Sequence, residues 1–82
     1  MVVVHRAFGF RFVIYTLDHE PAHVHIAGPG QAKINLIGAA GNPELVYSIG
    51  IKHGDLRRLM DEVNTKRTDF LAEWERIHGR ID

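Results

Sequence analysis

The chain has 82 residues, of which 45% are hydrophobic and none is cysteine, and its ten basic and ten acidic residues cancel. This length fits one domain covering residues 1–82, and the missing thiols exclude disulfide scaffolds, zinc ribbons and cysteine nucleophiles. A net charge of zero gives no general attraction to nucleic acid, and no apolar run approaches the roughly 20 residues that a membrane-spanning helix needs.

The first apolar segment, Val2–Val4, supports two expectations. Its charged neighbours follow it instead of preceding it, which is the reverse of a signal peptide, so we expect a cytoplasmic protein. A β-branched run without charge at a terminus is also a candidate for edge-to-edge pairing, and small domains with a marginal core often form two-fold dimers. We therefore expect a homodimer, unless this segment pairs inside its own sheet.

The N-terminal half alternates in the manner of β-strands. Residues 2–6 and 10–16 are predicted strands, with a turn at 7–9 between them, and Pro21 marks residues 17–22 as a loop. The next predicted strands cover residues 23–27, 31–37 and 44–49. Gly28-Pro29-Gly30 fits a type II turn, with Pro at its second and Gly at its third position, and the Gly-rich residues 38–43 are read as a plain connection.

The C-terminal half is helically periodic. Residues Leu56, Leu59, Met60 and Val63 repeat at the spacing of one buried helix face, and a second set follows at Phe70, Leu71, Trp74 and Ile77. Asp55 is a candidate N-cap, and Gly79 suits a C-terminal cap. The apolar stripe lapses at residues 64–67, which favours a break there over one kinked helix. The predicted fold is α+β: an antiparallel β-meander of four or five strands followed by one kinked or two helices.

Histidines cluster in the segment Asp18-His19-Glu20-Pro21-Ala22-His23-Val24-His25, which holds three of the six in the chain. Because side chains alternate along a strand, His23 and His25 share one face of the sheet. The turn at 28–30 predicts the pairs His25 with Lys33 and His23 with Asn35, since a one-residue slip would bury Lys33.

The same alternation sends Phe10, Phe12 and Ile14 to the core and Val13 to the opposite side of the sheet. That opposite side is predicted to be one exposed polar face, and its residues are Arg11, Tyr15, His23, His25, Lys33 and Asn35. The register of Tyr47, on the last strand, stays open.

Three interpretations of this face stand side by side. In the first, His19, His23, His25 and Asp18 hold a divalent metal such as zinc or manganese, although nearby cations disfavour it. In the second, the face binds an anionic partner, with Tyr15 available to stack on a base of nucleic acid. In the third, it is a polar surface whose histidines bond to neighbours or to a second copy. His5, His53 and His78 are isolated, and we assign them no role.

The order of these residues resembles a known family. Gly9-Phe10-Arg11-Phe12, the segment D-H-x-P-x-H-V-H-I from Asp18, Ala32-Lys33 and the late Trp74 are similar to the small prokaryotic domain-of-unknown-function family 4160. The resemblance covers nearly the whole chain except the Gly-rich residues 38–43. It implies a small bacterial or phage protein without a settled activity, often encoded beside another tiny domain in an arrangement like a toxin–antitoxin pair.

Two functions follow as hypotheses. The first is a binding module, one half of a regulatory or toxin–antitoxin-like pair, whose polar face takes an anionic partner or a small protein. The second is a metal-dependent hydrolase or nuclease in which His19, His23 and His25 hold an ion that activates water. The second has fewer supporting residues, because only Asp18 or Glu20 stands beside the cluster as a general base. We therefore favour a protein that is not an enzyme.

Overall fold

A five-stranded sheet and one helix make up residues 1–79, the part of the chain that the computed structural model describes. The elements are β1 Val2–Ala7, β2 Phe10–Ile14, β3 His23–Ala27, β4 Gln31–Asn35, β5 Glu44–Ile49 and α1 His53–His78. All neighbouring strands are antiparallel, in the order β1-β2-β3-β4-β5, so the predicted α+β meander is confirmed. Within residues 1–79, no helix has the length and apolar character to cross a membrane.

A two-residue turn joins β1 to β2. Phe8 and Gly9 have φ values of 57° and 80°, and Ala7 pairs with Phe10 across the turn. Positive φ at both central residues is the geometry of a type I′ hairpin, whose twist matches that of the strands. Val2 consequently pairs with Ile14 inside the sheet. This is the alternative expectation for Val2–Val4, in which the segment pairs within its own sheet.

The β3–β4 hairpin has the predicted register but a different turn. Pairing of Ala27 with Gln31 and of His25 with Lys33 confirms the expected alignment. The type II turn was wrong, because Gly30 is not among the residues of positive φ that its third position needs. A Cβ on Gly30 would lie 2.6 Å from the backbone carbonyl of Gly50, so a close approach explains this glycine.

The expected helix break near residues 64–66 is also wrong, since α1 is one continuous helix. Val63 and Phe70 are both buried seven residues apart, which keeps one face of the helix on the core across the polar segment. The helix also begins before Asp55. Its N-cap position is Lys52, which makes no side-chain cap bond, while Gly79 is the C-cap as predicted.

The helix covers the apolar face of the sheet. The buried hydrophobic cluster comprises Phe10, Phe12, Ile14, Val24, Ile26, Ala32, Ile34, Leu36, Leu59, Val63, Phe70 and Trp74. Phe12, Val24 and Ile34 have no exposed surface, and burying a side chain of this size contributes about 1.5–3 kcal/mol. Phe12 packs on Phe70 of the helix with ring centroids 5.7 Å apart, so this face holds the core that the alternation predicted.

The opposite face departs from the prediction at two positions. Val13, expected outside, is fully buried because it lies between Val3 and His25 on the neighbouring strands. His23 is only 3% exposed, because the end of α1 brings Trp74 against its ring, with centroids 5.1 Å apart. In contrast, all six residues of the edge strand β5 are exposed.

Candidate functional site

The turn after β2 places the first candidate residue, Asp18. Its backbone N–H donates to the carbonyl of Tyr15 at 3.0 Å, and the N–H of Tyr15 donates back to Asp18 Oδ2 at 3.0 Å. Short polar side chains favour such local bonds, which is why Asp is suited to this turn. The carboxylate is thereby held at the end of the sheet, directly opposite the start of β3.

His23 is the first residue of β3, and its ring orientation is set by the loop before it. Its Nδ1 lies 2.8 Å from the carbonyl oxygen of Pro21. A carbonyl can only accept, so Nδ1 carries the proton and the neutral ring has its lone pair on Nε2. That Nε2 lies 3.3 Å from Asp18 Oδ2. The buried imidazole therefore presents its ligating atom to the carboxylate.

His25 completes the group from the next outward position of β3. Its Nε2 lies 3.5 Å from Asp18 Oδ1, and its ring meets that of Tyr15 edge-on at 4.8 Å. Burial lowers the pKa of His25 below its usual value, and this outweighs the opposing effect of Asp18. The charge of His23, in the form in which that ring is protonated, and the charge of Lys33 also lower the pKa of His25. His25 is therefore neutral at pH 7.

Ligating atoms of these three residues, which we call the Asp18–His23–His25 cluster, all lie within 4.8 Å of one another. Residues 1–79 contain no second such group of His or acidic side chains. The exposed His19, which the sequence also offered as a ligand, lies outside the cluster. One nitrogen from each imidazole and one carboxylate oxygen are a donor set that suits zinc or another divalent transition metal.

A groove on the polar face of the sheet adjoins the cluster. This sheet groove has a volume of about 420 Å³, and its polar lining residues are Arg11, Tyr15, His25, Gln31 and Tyr47. Lys33 lies between two of them, since it pairs with His25 on one side and Tyr47 on the other. Of the predicted face, Arg11, Tyr15, His25 and Lys33 thus come together.

The other two predicted residues lie deeper. His23 is buried in the cluster, and Asn35, which pairs with it across the strands, has its side-chain oxygen enclosed. That oxygen has no hydrogen-bond partner among residues 1–79. A buried acceptor without a donor is unusual, and Asn35 places one at this end of the sheet, opposite His23.

Sequence reasoning left the position of Tyr47 open and missed the polar contacts of Trp74 and His78. The bulge between Lys33 and Ile34 sets the register of β5, and nothing in the sequence signals it. Trp74 was expected in the core and is buried, but its Nε1 also donates to Glu20 at 3.0 Å. His78 lies 3.2 Å from the carbonyl oxygen of Tyr15, so the end of α1 contacts the turn that carries Asp18.

Comparisons with known proteins give one match. The model of the family described as Domain of unknown function (DUF4160) matches residues 9–75 of this chain. No curated protein matches, and no solved structure does. The matched range contains the Asp18–His23–His25 cluster, the sheet groove and most of α1. By this match over most of its length, the chain belongs to the family of the domain of unknown function 4160.

Proposed function

We propose that this protein is a binding module whose sheet groove holds single-stranded nucleic acid. The observation that carries the proposal is the row of side chains across three strands: His25 on β3, Lys33 on β4 and Tyr47 on β5. Tyr15 extends this row through its ring contact with His25. A cation thus lies between two aromatic rings on an open sheet face.

The charge of the groove favours an anion even though the whole chain is neutral. Arg11 lines it and Lys33 stands between its lining residues, while no acidic side chain within residues 1–79 lines it. A local excess of positive charge attracts an anionic partner independently of the net charge. Phosphate oxygens are the anions that Arg and Lys contact most in nucleic-acid complexes.

The two tyrosines select nucleic acid among anionic polymers. Tyr15 is 39% exposed and Tyr47 is 40% exposed, so part of each ring is open to a ligand. Every base has an aromatic face, and stacking one base on such a ring contributes about 1–3 kcal/mol. A sheet face that combines aromatic rings with cations is a common platform for unpaired strands.

Fluorescence anisotropy with labelled single-stranded RNA and DNA oligonucleotides tests this proposal. If Arg11 and Lys33 each contact a phosphate, the logarithm of the association constant should fall with the logarithm of salt concentration with a slope of about −1.4. Lys33→Gln should reduce that slope by about 0.7, and Tyr47→Ala should cost about 1–3 kcal/mol of binding free energy. Lys66→Gln, on the helix, is the matched control and should change neither quantity.

Binding that ignores salt, or that Lys66→Gln weakens as much as Lys33→Gln does, would contradict the proposal. A small protein partner is the second candidate, favoured by the exposed apolar residues Leu45, Val46 and Ile49 of β5. The resemblance implies that family members are often encoded beside another tiny domain, so a domain of that kind is the probe for this second candidate. Binding of that domain at β5, with no oligonucleotide bound, would replace the first candidate by the second.

A further inference from the structure

We propose that Asp18, His23 and His25 form a binding site for one divalent transition metal ion, with zinc as the best fit. The site lies at the end of the sheet groove and shares His25 with it. The inference does not depend on nucleic-acid binding, since it is carried by the geometry of the cluster itself.

The orientation of His23 is the first argument. With the Nδ1 proton donated to Pro21, the neutral ring directs a lone pair at Asp18 Oδ2, and two acceptors then face each other at 3.3 Å. Such a contact is repulsive unless a proton or a cation lies between the two atoms. His23 is 3% exposed, so water does not screen this repulsion effectively.

The distances distinguish a metal ion from a proton. A charge-assisted N–H···O bond between imidazolium and carboxylate is about 2.7–2.9 Å long. The two contacts of Asp18 are longer, at 3.3 Å to His23 and 3.5 Å to His25. An ion with tetrahedral bonds of about 2.0–2.2 Å holds its ligand atoms about 3.3–3.6 Å apart. Both observed separations fall in that range, each to a different oxygen of the Asp18 carboxylate, and the three ligating atoms as a group lie within 4.8 Å of one another.

Outer contacts of the cluster match those of protein metal sites. A metal-ligating histidine almost always donates its other N–H to a carbonyl or carboxylate, as His23 does to Pro21. Ligating carboxylates are in turn hydrogen-bonded, as Asp18 is by the N–H of Tyr15.

The charge balance of the site is compatible with a cation. The carboxylate of Asp18 supplies one negative charge, and its side chain is only 15% exposed. Lys33 opposes a cation because it is the direct cross-strand partner of His25, whereas Arg11, opposite Ala27, lies on the side of His25 away from His23. Three protein ligands leave a fourth position, which is the arrangement of metal sites that bind or activate a further molecule.

Isothermal titration of the untagged protein with zinc chloride, after removal of metal with a chelator, tests the site. We expect one zinc ion per chain, and Asp18→Asn and His25→Ala should each weaken binding by at least about tenfold to a hundredfold, the loss seen when only a supporting contact is removed. His19→Ala is the matched control, because it removes an exposed histidine next to Asp18. It should leave the affinity unchanged.

His23→Ala is less informative, because His23 is buried against Trp74 and its loss can unfold the end of the sheet. Nitrogen-15 spectra of the histidine rings give an independent measurement in the unmodified protein. Zinc should shift Nε2 of His23 and leave its Nδ1 protonated. Absence of zinc binding at millimolar concentration, or equal losses in His19→Ala and His25→Ala, would overturn the proposal. If oligonucleotides still bind in the presence of a chelator, nucleic-acid binding in the sheet groove does not require the metal, and the two proposals are tested independently.

Discussion

On one face of β2, β3 and β4 the side chains lie under α1, and on the other face they border the sheet groove. The covered face is uniform, with Phe12, Ile26 and Ile34 each at most 1% exposed. The open face is mixed: Arg11 and Tyr15 are exposed, whereas Val13 and His23 are buried. A single helix is enough to bury every apolar position beneath it. Burial on the open face instead requires a particular neighbour at each position.

On the open face these neighbours come from the adjacent strands, from the turn that carries Asp18 and from the end of α1. His23 is enclosed by the Asp18 turn and by Trp74 from the end of α1, and Val13 by the strands on either side. The polar residues of the candidate sites and the packed core therefore lie on opposite faces of the sheet, except at the end of the sheet near Asp18. There the helix terminus, the turn and β3 meet, and this end holds His23, the one fully buried polar residue among residues 1–79, and the enclosed side-chain oxygen of Asn35.

The largest expected effect of a substitution is on the covered face. Phe70→Ala removes a ring that is 2% exposed and packs on Phe12, so we expect a loss of about 3–5 kcal/mol in the free energy of unfolding. Tyr47→Ala is the matched substitution on the open face and should cost less than about 1 kcal/mol. Urea denaturation monitored by circular dichroism measures both. Equal losses would show that the open face also carries the stability of the fold.

A second comparison concerns the two edges of the sheet. β1 is tied to the helix, because His5 Nε2 lies 2.6 Å from Glu62 Oε2 and the ring of His5 packs between Phe12 and Phe70. No residue of β5 is similarly enclosed, since all of them are exposed. The role of His5 was not predicted, because the bulge between Val3 and His5 changes the register of the strand.

Removing the contact at β1 should have an intermediate effect. Glu62→Ala leaves the half-buried ring of His5 without its acceptor, and we expect the free energy of unfolding to fall by about 1–2 kcal/mol. The control is Glu73→Ala, which breaks the exposed pair with Arg76 on the helix surface and should cost at most about 1 kcal/mol. Urea denaturation of both variants decides the question. A loss as small as that of the control would mean that β1 is held by its rings alone.

Much of the fold follows from two signals in the sequence. Alternation combined with the turn at Gly28-Pro29-Gly30 predicted the pairing of His25 with Lys33, because only one register keeps Ile34 inside. The turn type itself depended on the position of the Gly50 backbone, which is remote in sequence. The helix break was predicted from the polar residues 64–67. In the structure Asn64 and Thr65 are exposed and Lys66 and Arg67 are half-buried, while the buried residues Val63 and Phe70 on either side keep one helix face on the core.

The candidate site was predicted less completely than the fold. Spacing alone placed His23 and His25 together, but their relation to Asp18 depends on the hydrogen bonds of the Tyr15 turn. No periodicity signals those bonds, so the sequence alone did not distinguish His19 from the other candidate ligands. The position of Tyr47 was left open because its partner depends on the bulge between Lys33 and Ile34, which nothing in the sequence signals.

The last prediction concerns self-association. Its variants should affect the fold least, and they distinguish the two edges of the sheet most directly. Because β1 pairs with β2, the Val2–Val4 segment no longer supports a homodimer. We instead predict a homodimer that pairs at β5, because exposed strand edges with apolar side chains are templates for another strand. Val46 and Ile49 are 48% and 64% exposed there, whereas Val3 is half-buried in β1.

Val46→Lys and Val3→Lys are the matched variants. Light scattering at micromolar concentration should give a dimer for the unmodified chain and for Val3→Lys, and a monomer for Val46→Lys. Val46→Lys should change the free energy of unfolding of the monomer itself by at most about 0.5 kcal/mol, as an exposed substitution does. A monomeric unmodified chain would exclude the dimer, and dissociation by Val3→Lys alone would move the interface to β1.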